Sequence, residues 1–168
     1  MNNPNEILKL LLQNEVDFIL IGGLAAVTYG VSTVTQDIDV CFSFEPQNIQ
    51  KLLTALKDIH PRVRAGSGFF LLESYTAERL TQLDNLYMKT DLGALDLIGQ
   101  VVGLGNYQQL KNSSTAFSLF GFTCQLLEIE ALIKSKQIAN RPKDQPVILE
   151  LQAIQEKMKK KSCLPQKP

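Results

Sequence analysis

Two carboxylates and two glycines in the first quarter of the chain carry the chemistry. Asp37 and Asp39 stand two apart in the run Asp37-Ile38-Asp39-Val40-Cys41-Phe42. On a strand, such a spacing sends both side chains out of one face, while Ile38 and Val40 point the other way, into a core. Neighbouring carboxylates repel unless a cation joins them, and Mg²⁺ is the usual cation where carboxylates meet phosphates. Upstream, the apolar run Phe18-Ile19-Leu20-Ile21 breaks at Gly22-Gly23, and a short helical segment from Leu24 to Tyr29 stops at Gly30. The glycine pair lets the backbone turn tightly and approach a ligand. The helix behind it aims free N–H groups and a partial positive charge at the turn, which suits phosphate. A phosphate cradle beside an aspartate pair reads as nucleotidyl or phosphoryl transfer. A solvated edge-strand face would also give the Asp-x-Asp alternation, but it leaves the glycine turn unexplained.

Other residues are candidates with blander alternatives. Asp96 sits inside the apolar segment Gly93-Ala94-Leu95-Asp96-Leu97-Ile98-Gly99. A carboxylate inside a strand is costly unless something pairs with it, so Asp96 is either a hydrogen-bonded structural residue or a third metal-binding carboxylate. Lys136 lies seven residues after Ile129 on the stripe Ile129, Leu132, Ile133. A lysine on an apolar stripe either snorkels out at the helix end or reaches an anion. Arg141 follows five residues later; favourable charge near a helix C-terminus is the bland account of both cations. Asp144, two residues before Pro146, reads as the cap of the last helix, or as a group that orients Lys136 or Arg141. The single histidine, His60, has no adjacent nucleophile, which argues against Ser/His/Asp or Cys/His catalysis. No GxxxxGK[ST] stretch occurs, and Gly103-x-Gly105 lacks the third glycine of a dinucleotide fingerprint and reads as a turn.

Gly22-Gly23, a gap of thirteen residues, and Asp37-x-Asp39, followed by Asp96, resemble the signature of the DNA polymerase β-like nucleotidyltransferase superfamily. The likeness covers roughly residues 16 to 151, and its nearest branch is the small bacterial group of AbiEii-type toxins and minimal nucleotidyltransferases. Lys136-x-x-x-x-Arg141 resembles a motif of that branch. The resemblance implies Mg²⁺-dependent transfer of a nucleoside monophosphate from a nucleoside triphosphate to an acceptor hydroxyl on a tRNA, a protein or a small molecule. Asp37, Asp39 and Asp96 would hold two Mg²⁺ ions, with Mn²⁺ as a substitute, and Asp96 would help deprotonate the hydroxyl. Gly22, Gly23, Lys136 and Arg141 would hold the triphosphate. One position departs from the pattern: relatives carry Arg four residues before the first Asp, where this chain has Thr33. That departure keeps a second reading open, a non-catalytic member of the fold acting as a binding or antitoxin-like partner in a toxin–antitoxin pair.

The elements that must position these groups follow from periodicity. The 168 residues, 45% hydrophobic and 20% charged, suit one domain with a sizeable core. Pro4 starts a helix whose stripe is Ile7, Leu8, Leu11 and Leu12; strands are expected near 16–21 and 37–43; Pro46 opens a helix that ends at His60-Pro61. Residues 61 to 68, PRVRAGSG, read as a mobile loop bearing Arg62 and Arg64. A short strand and a helix near Thr76 are expected next, then strands over 84–89 and 93–99, a short helix over 107–111, and a hairpin split by Gly121. Helices over 128–139 and 145–159 close the chain. The predicted fold is α/β: a small mixed sheet flanked by helices, with the C-terminal helices packed on it. One domain spans 1–158, and 159–168 is a disordered tail. Zero net charge disfavours wide non-specific nucleic-acid binding. Cys41, Cys124 and Cys163 show no paired spacing, so neither a disulfide framework nor a zinc site is expected. No signal pattern or membrane-length apolar run occurs, so the expected location is the cytoplasm.

Overall fold

A computed structural model describes residues 3–35 and 37–162. The first helix, α1 (Pro4–Gln13), places Pro4 where a missing N–H costs nothing and buries Ile7, Leu8, Leu11 and Leu12. Then come β1 (Phe18–Leu20), α2 (Gly22–Tyr29) and β2 (Asp37–Phe42), in the expected order strand, glycine turn, helix, strand. The helix α2 ends at Gly30 in the left-handed conformation, as a glycine cap does. Next are α3 (Pro46–Leu56), β3 (Arg62–Ala65), β4 (Gly68–Leu71), α4 (Ala77–Thr81), β5 (Asn85–Thr90) and β6 (Gly93–Ile98). The short pair β7 (Gln100–Val101) and β8 (Gly105–Asn106) surrounds the turn expected at Gly103 and Gly105. The chain closes with α5 (Tyr107–Leu110), β9 (Ser114–Leu119), β10 (Phe122–Leu127), α6 (Ile129–Ala139) and α7 (Gln145–Ser162).

Eight strands form one mixed sheet in the order β4-β3-β5-β6-β2-β1-β10-β9. The predicted α/β class therefore holds, with a larger sheet than expected. The pairs β1–β10 and β2–β6 are parallel, and the rest are antiparallel. The register places Ile38, Val40, Leu86, Met88, Leu95 and Leu97 on one face, all buried. There α1, α3 and α4 pack against one another. The helices α2, α6 and α7 pack together as a second group, and α2 lies against β2. The Tyr29 hydroxyl donates to the Leu127 carbonyl at 2.9 Å, which ties the end of α2 to β10. Each apolar side chain buried at this sandwich contributes about 1.5–3 kcal/mol relative to exposure.

Two expectations are corrected. The stretch 61–68 is not a mobile loop: Arg62-Val63-Arg64-Ala65 is β3, and Gly66-Ser67 turns the chain into β4. Val63 is buried between the two exposed arginines, which is the alternation of a half-buried strand. The last helix also runs on to Ser162, so the first residues of the expected tail are helical. The remainder, 163–168 with Cys163, lies outside the described residues. Cys41 and Cys124 are buried free thiols, and burial pushes them up to about 12 and about 11, so neither is a ready thiolate. Among the described residues, no helix is long and apolar enough to cross a membrane.

Candidate active site

The register of two parallel strands assembles the carboxylates. Asp39 on β2 lies directly opposite Asp96 on the parallel neighbour β6, and Asp37 lies opposite Ala94. Asp37, Asp39 and Asp96 therefore leave the same face of the sheet, opposite to the buried Ile38, Leu95 and Leu97. Asp37 is exposed, and Asp39 and Asp96 are half-buried. Among the described residues, no three acidic, histidine or cysteine side chains stand close enough to hold one ion in common.

Their electrostatics mark a carboxylate cluster short of positive charge. Burial pushes the Asp96 carboxyl up to about 6, the negative charges of Asp39 and Asp37 add to the rise, and the Arg64 guanidinium partly offsets it. Burial also raises Asp39, and Asp37 adds to it; a hydrogen bond from the Gly23 N–H and the charges of Arg141 and Lys136 pull it back without cancelling the rise. Both residues would hold protons more tightly than an ordinary aspartate, as like charges in a half-dry site do.

The N-terminus of α2 faces this cluster. Gly22 adopts φ +67°, and a Cβ there would overlap the Asp39 carboxylate. A Cβ on Gly23 would approach the Thr35 hydroxyl to 2.9 Å. Gly22 is thus required twice, for backbone conformation and for closeness to Asp39, and Gly23 for closeness to Thr35. The first N–H groups of α2 point where an anion can sit, and Asp39 itself accepts from Gly23.

Lys136 and Arg141 reach the same neighbourhood through a fourth carboxylate, Asp144. Lys136 is only 5% exposed, and its Nζ donates to Asp144 Oδ1 at 2.8 Å. Arg141 Nε donates to Asp144 Oδ2 at 2.7 Å, with the Arg141 side chain 55% exposed. Asp144 gives both oxygens to these cations, so it orients them rather than serving as the plain helix cap. Burial alone would raise the Asp144 carboxyl; the hydrogen bonds and charges of Lys136 and Arg141 together outweigh it and hold it below the usual range. The chain between α6 and α7 turns at Asn140 in the left-handed conformation and then at Pro142, which brings Arg141 and Asp144 back beside Lys136. Thr33 is half-buried in the loop between α2 and β2, with its N–H on the Val31 carbonyl at 3.0 Å.

On the other side of Asp96, an open cleft of about 310 Å³ is floored by Asp37 and Asp96 and walled by Arg64, Phe69, Tyr87 and Lys89. These four walls come from β3, β4 and β5 and were not singled out as site residues from the sequence. The alternation Arg62-Val63-Arg64 ahead of Gly66 was the signal for β3.

No family model and no curated protein matches the chain. Solved structures do. The lincosamide antibiotic adenylyltransferase LnuA, in a lincomycin-bound crystal structure, superposes with a TM-score of 0.62 at 19% identity, covering 91% of this chain and 98% of LnuA. A candidate nucleotidyltransferase from Thermotoga maritima superposes with a TM-score of 0.55 at 12% identity, covering 95% and 96%. Both comparisons span nearly the whole of each chain, so the described residues share the nucleotidyltransferase fold over most of their length.

Proposed function

We propose that the chain transfers a nucleoside monophosphate from a nucleoside triphosphate to an acceptor hydroxyl, with Mg²⁺ as the cation. The observation that carries this reading is the pairing of Asp39 with Asp96 across two parallel strands, directly under the N-terminus of α2. The residues fit the ion: carboxylate oxygens are the hard ligands Mg²⁺ prefers, and both carboxyls are raised by burial and then by negative neighbours, whose repulsion a cation would relieve. Asp39 and Asp96 would be the core of the metal site, with Asp37 one step along the same face. Bound Mg²⁺, or Mn²⁺ in its place, would neutralise phosphate oxygens and orient them; two ions are the arrangement such carboxylate sets use.

The protein's own contribution is placement and charge. The α2 N–H groups and the Lys136 and Arg141 charges would hold the triphosphate on one side of Asp39. The acceptor hydroxyl would lie on the other side, against Asp96. Its oxygen forms a bond to the α-phosphorus while the bond from that phosphorus to the leaving oxygen breaks, and pyrophosphate departs. The hydroxyl proton passes to an Asp96 carboxylate oxygen, which lines the cleft on that side. A small-molecule acceptor is in keeping with the lincomycin-bound state of LnuA. Kinship with the AbiEii-like branch rests on the Lys136–Arg141 spacing, whose two cations meet on Asp144.

Titrating ATP, GTP, CTP and UTP into the pure protein with and without Mg²⁺ tests the reading. Binding of at least one triphosphate, Mg²⁺-dependent and lost in Asp39→Asn, is the expected result. No binding of any triphosphate would overturn it and leave the non-catalytic partner reading in its place.

A further inference from the structure

The sheet that presents Asp39 and Asp96 continues past them, and the next residues in the same two rows are cationic and aromatic. Tyr87 lies directly opposite Asp96, and Lys89 opposite Ala94, which in turn faces Asp37. Across the following strand pair, Arg62 faces Lys89 and Val63 faces Met88. One step further in that register, the Arg64 guanidinium lies over the Tyr87 ring at 5.5 Å, and Phe69 on β4 faces Arg64. One row therefore reads Asp39, Asp96, Tyr87, Arg64, Phe69.

The charges in these rows are not all spent on the protein. Arg62 is paired with Asp91 at 3.5 Å. Among the described residues, neither Arg64 nor Lys89 has a carboxylate within ion-pair distance, and both line the cleft. Two cations without a carboxylate partner, one of them stacked on an exposed ring, in a cleft whose floor holds the carboxylates proposed for catalysis, suit a ligand rather than a salt bridge. Strand spacing of about 4.8 Å puts the Arg64 backbone about 10 Å from that of Asp96, with Tyr87 between them.

We infer that the cleft selects a small acceptor that carries an anionic group, a phosphate or carboxylate, held by Arg64 and Lys89, and a flat ring lying on Tyr87 and Phe69, with its hydroxyl at Asp96. This inference rests on the nucleotidyl-transfer reading of the site and adds the class of acceptor. The cleft volume of about 310 Å³ matches a small molecule. Triphosphate and acceptor are then held by separate cations, Lys136 with Arg141 on one side of the carboxylates and Lys89 with Arg64 on the other.

The test uses three probes with the same hydroxyethyl-phenyl body: 4-(2-hydroxyethyl)phenyl phosphate, 4-(2-hydroxyethyl)phenol and 4-(2-hydroxyethyl)benzylamine. Each is titrated calorimetrically into the full chain, with the triphosphate titration run in parallel. The anionic probe is expected to bind at least tenfold tighter than the neutral or cationic one. In Arg64→Gln/Lys89→Gln that preference should fall below about threefold, with both variants melting as the parent does. Equal affinities for the three probes would overturn the inference, as would a preference that survives the double substitution. If Arg64→Gln disturbs folding, Lys89→Gln alone should still lower the preference by at least threefold, and no change in it would count against the inference. The triphosphate titration reports separately: its failure removes the transfer reading, whereas failure of the probe series with triphosphate bound removes only the acceptor class.

Discussion

At the scale of single residues, the carboxylates on which the proposed transfer depends also tax the fold. In the metal-free protein, Asp96 at about 6 and the raised Asp39 repel each other, so removing one charge should not weaken the fold. Asp39→Asn is expected to abolish Mg²⁺-dependent triphosphate binding and leave Tm unchanged or higher. Asparagine still offers an oxygen to the Gly23 N–H, so a large drop in Tm would show that Asp39 is chiefly structural. The same charge gives a pH signature. A carboxyl raised on folding binds more protons in the native state than in the unfolded one, whose aspartate titrates near 3.9. Its contribution therefore improves as pH falls through about 6 and is lost as pH rises through that value. Measured in EDTA, the stability of the parent relative to Asp96→Asn should fall from pH 4 to about 7 and level off above. A flat difference over that range would mean that the Asp96 carboxyl titrates as an ordinary one.

At the scale of elements, α2 and the α6–α7 corner set the geometry. Gly22 combines φ +67° with the nearness of the Asp39 carboxylate, so Gly22→Ala adds left-handed strain and a collision. A loss of roughly 1–3 kcal/mol in denaturant unfolding is expected, the usual cost of such a backbone conformation. Triphosphate affinity should fall with it. At the corner, Lys136 and Asp144 are each about 5% exposed or less and bonded to one another. Asp144→Asn strands a buried ammonium, and breaking a buried pair in this way costs about 3–5 kcal/mol. Lys136→Met leaves Asp144 still held by Arg141 and should cost less, about 1–3 kcal/mol. Triphosphate affinity should drop at least tenfold in Lys136→Met; unchanged affinity would leave the lysine a purely structural partner of Asp144. The corner also shows why the sequence left two roles open for Asp144. Asp144 ahead of Pro146 has the sequence of a helix cap, and only the turn at Asn140 and Pro142 reveals that its oxygens face back to Lys136.

At the scale of the molecule, the residues proposed to hold the triphosphate were legible in the sequence, and the cationic and aromatic walls of the cleft were not. Gly22-Gly23, Asp37-x-Asp39 and the stripe that ends on Lys136 are local patterns, and local spacing fixes which face a side chain takes. The opposition of Asp39 and Asp96 joins strands far apart in sequence, so it awaited the strand order. Arg64, Tyr87, Lys89 and Phe69 lie on three strands that meet only through the sheet, and the arginines sat in a stretch whose glycines suggested a loop. The same sheet predicts its own order of opening. The outer hairpin β3–β4 is joined to β5 by the pairs Arg62–Lys89 and Val63–Met88, and β4 is an edge. The strands β1, β2 and β6 are central and nearly wholly buried on one face. Native-state hydrogen exchange should be fastest in 62–71 and slowest in 18–20, 38–42 and 94–98. Equal protection of the hairpin and β2 would contradict this.

That loosely joined hairpin has a consequence for how the protein can change over generations. The residues proposed to hold the triphosphate are keyed into the core: Gly22 against Asp39, and Lys136 against a buried Asp144. Arg64, Phe69 and the turn at Gly66 sit on the exposed rim, where substitutions usually shift stability by no more than about 0.5 kcal/mol. The hairpin is therefore an exchangeable cassette. On the proposed reading, lengthening, recharging or transplanting it would offer new compounds to an unaltered reaction centre, and a lineage could turn over its acceptors while the residues beneath them stay fixed.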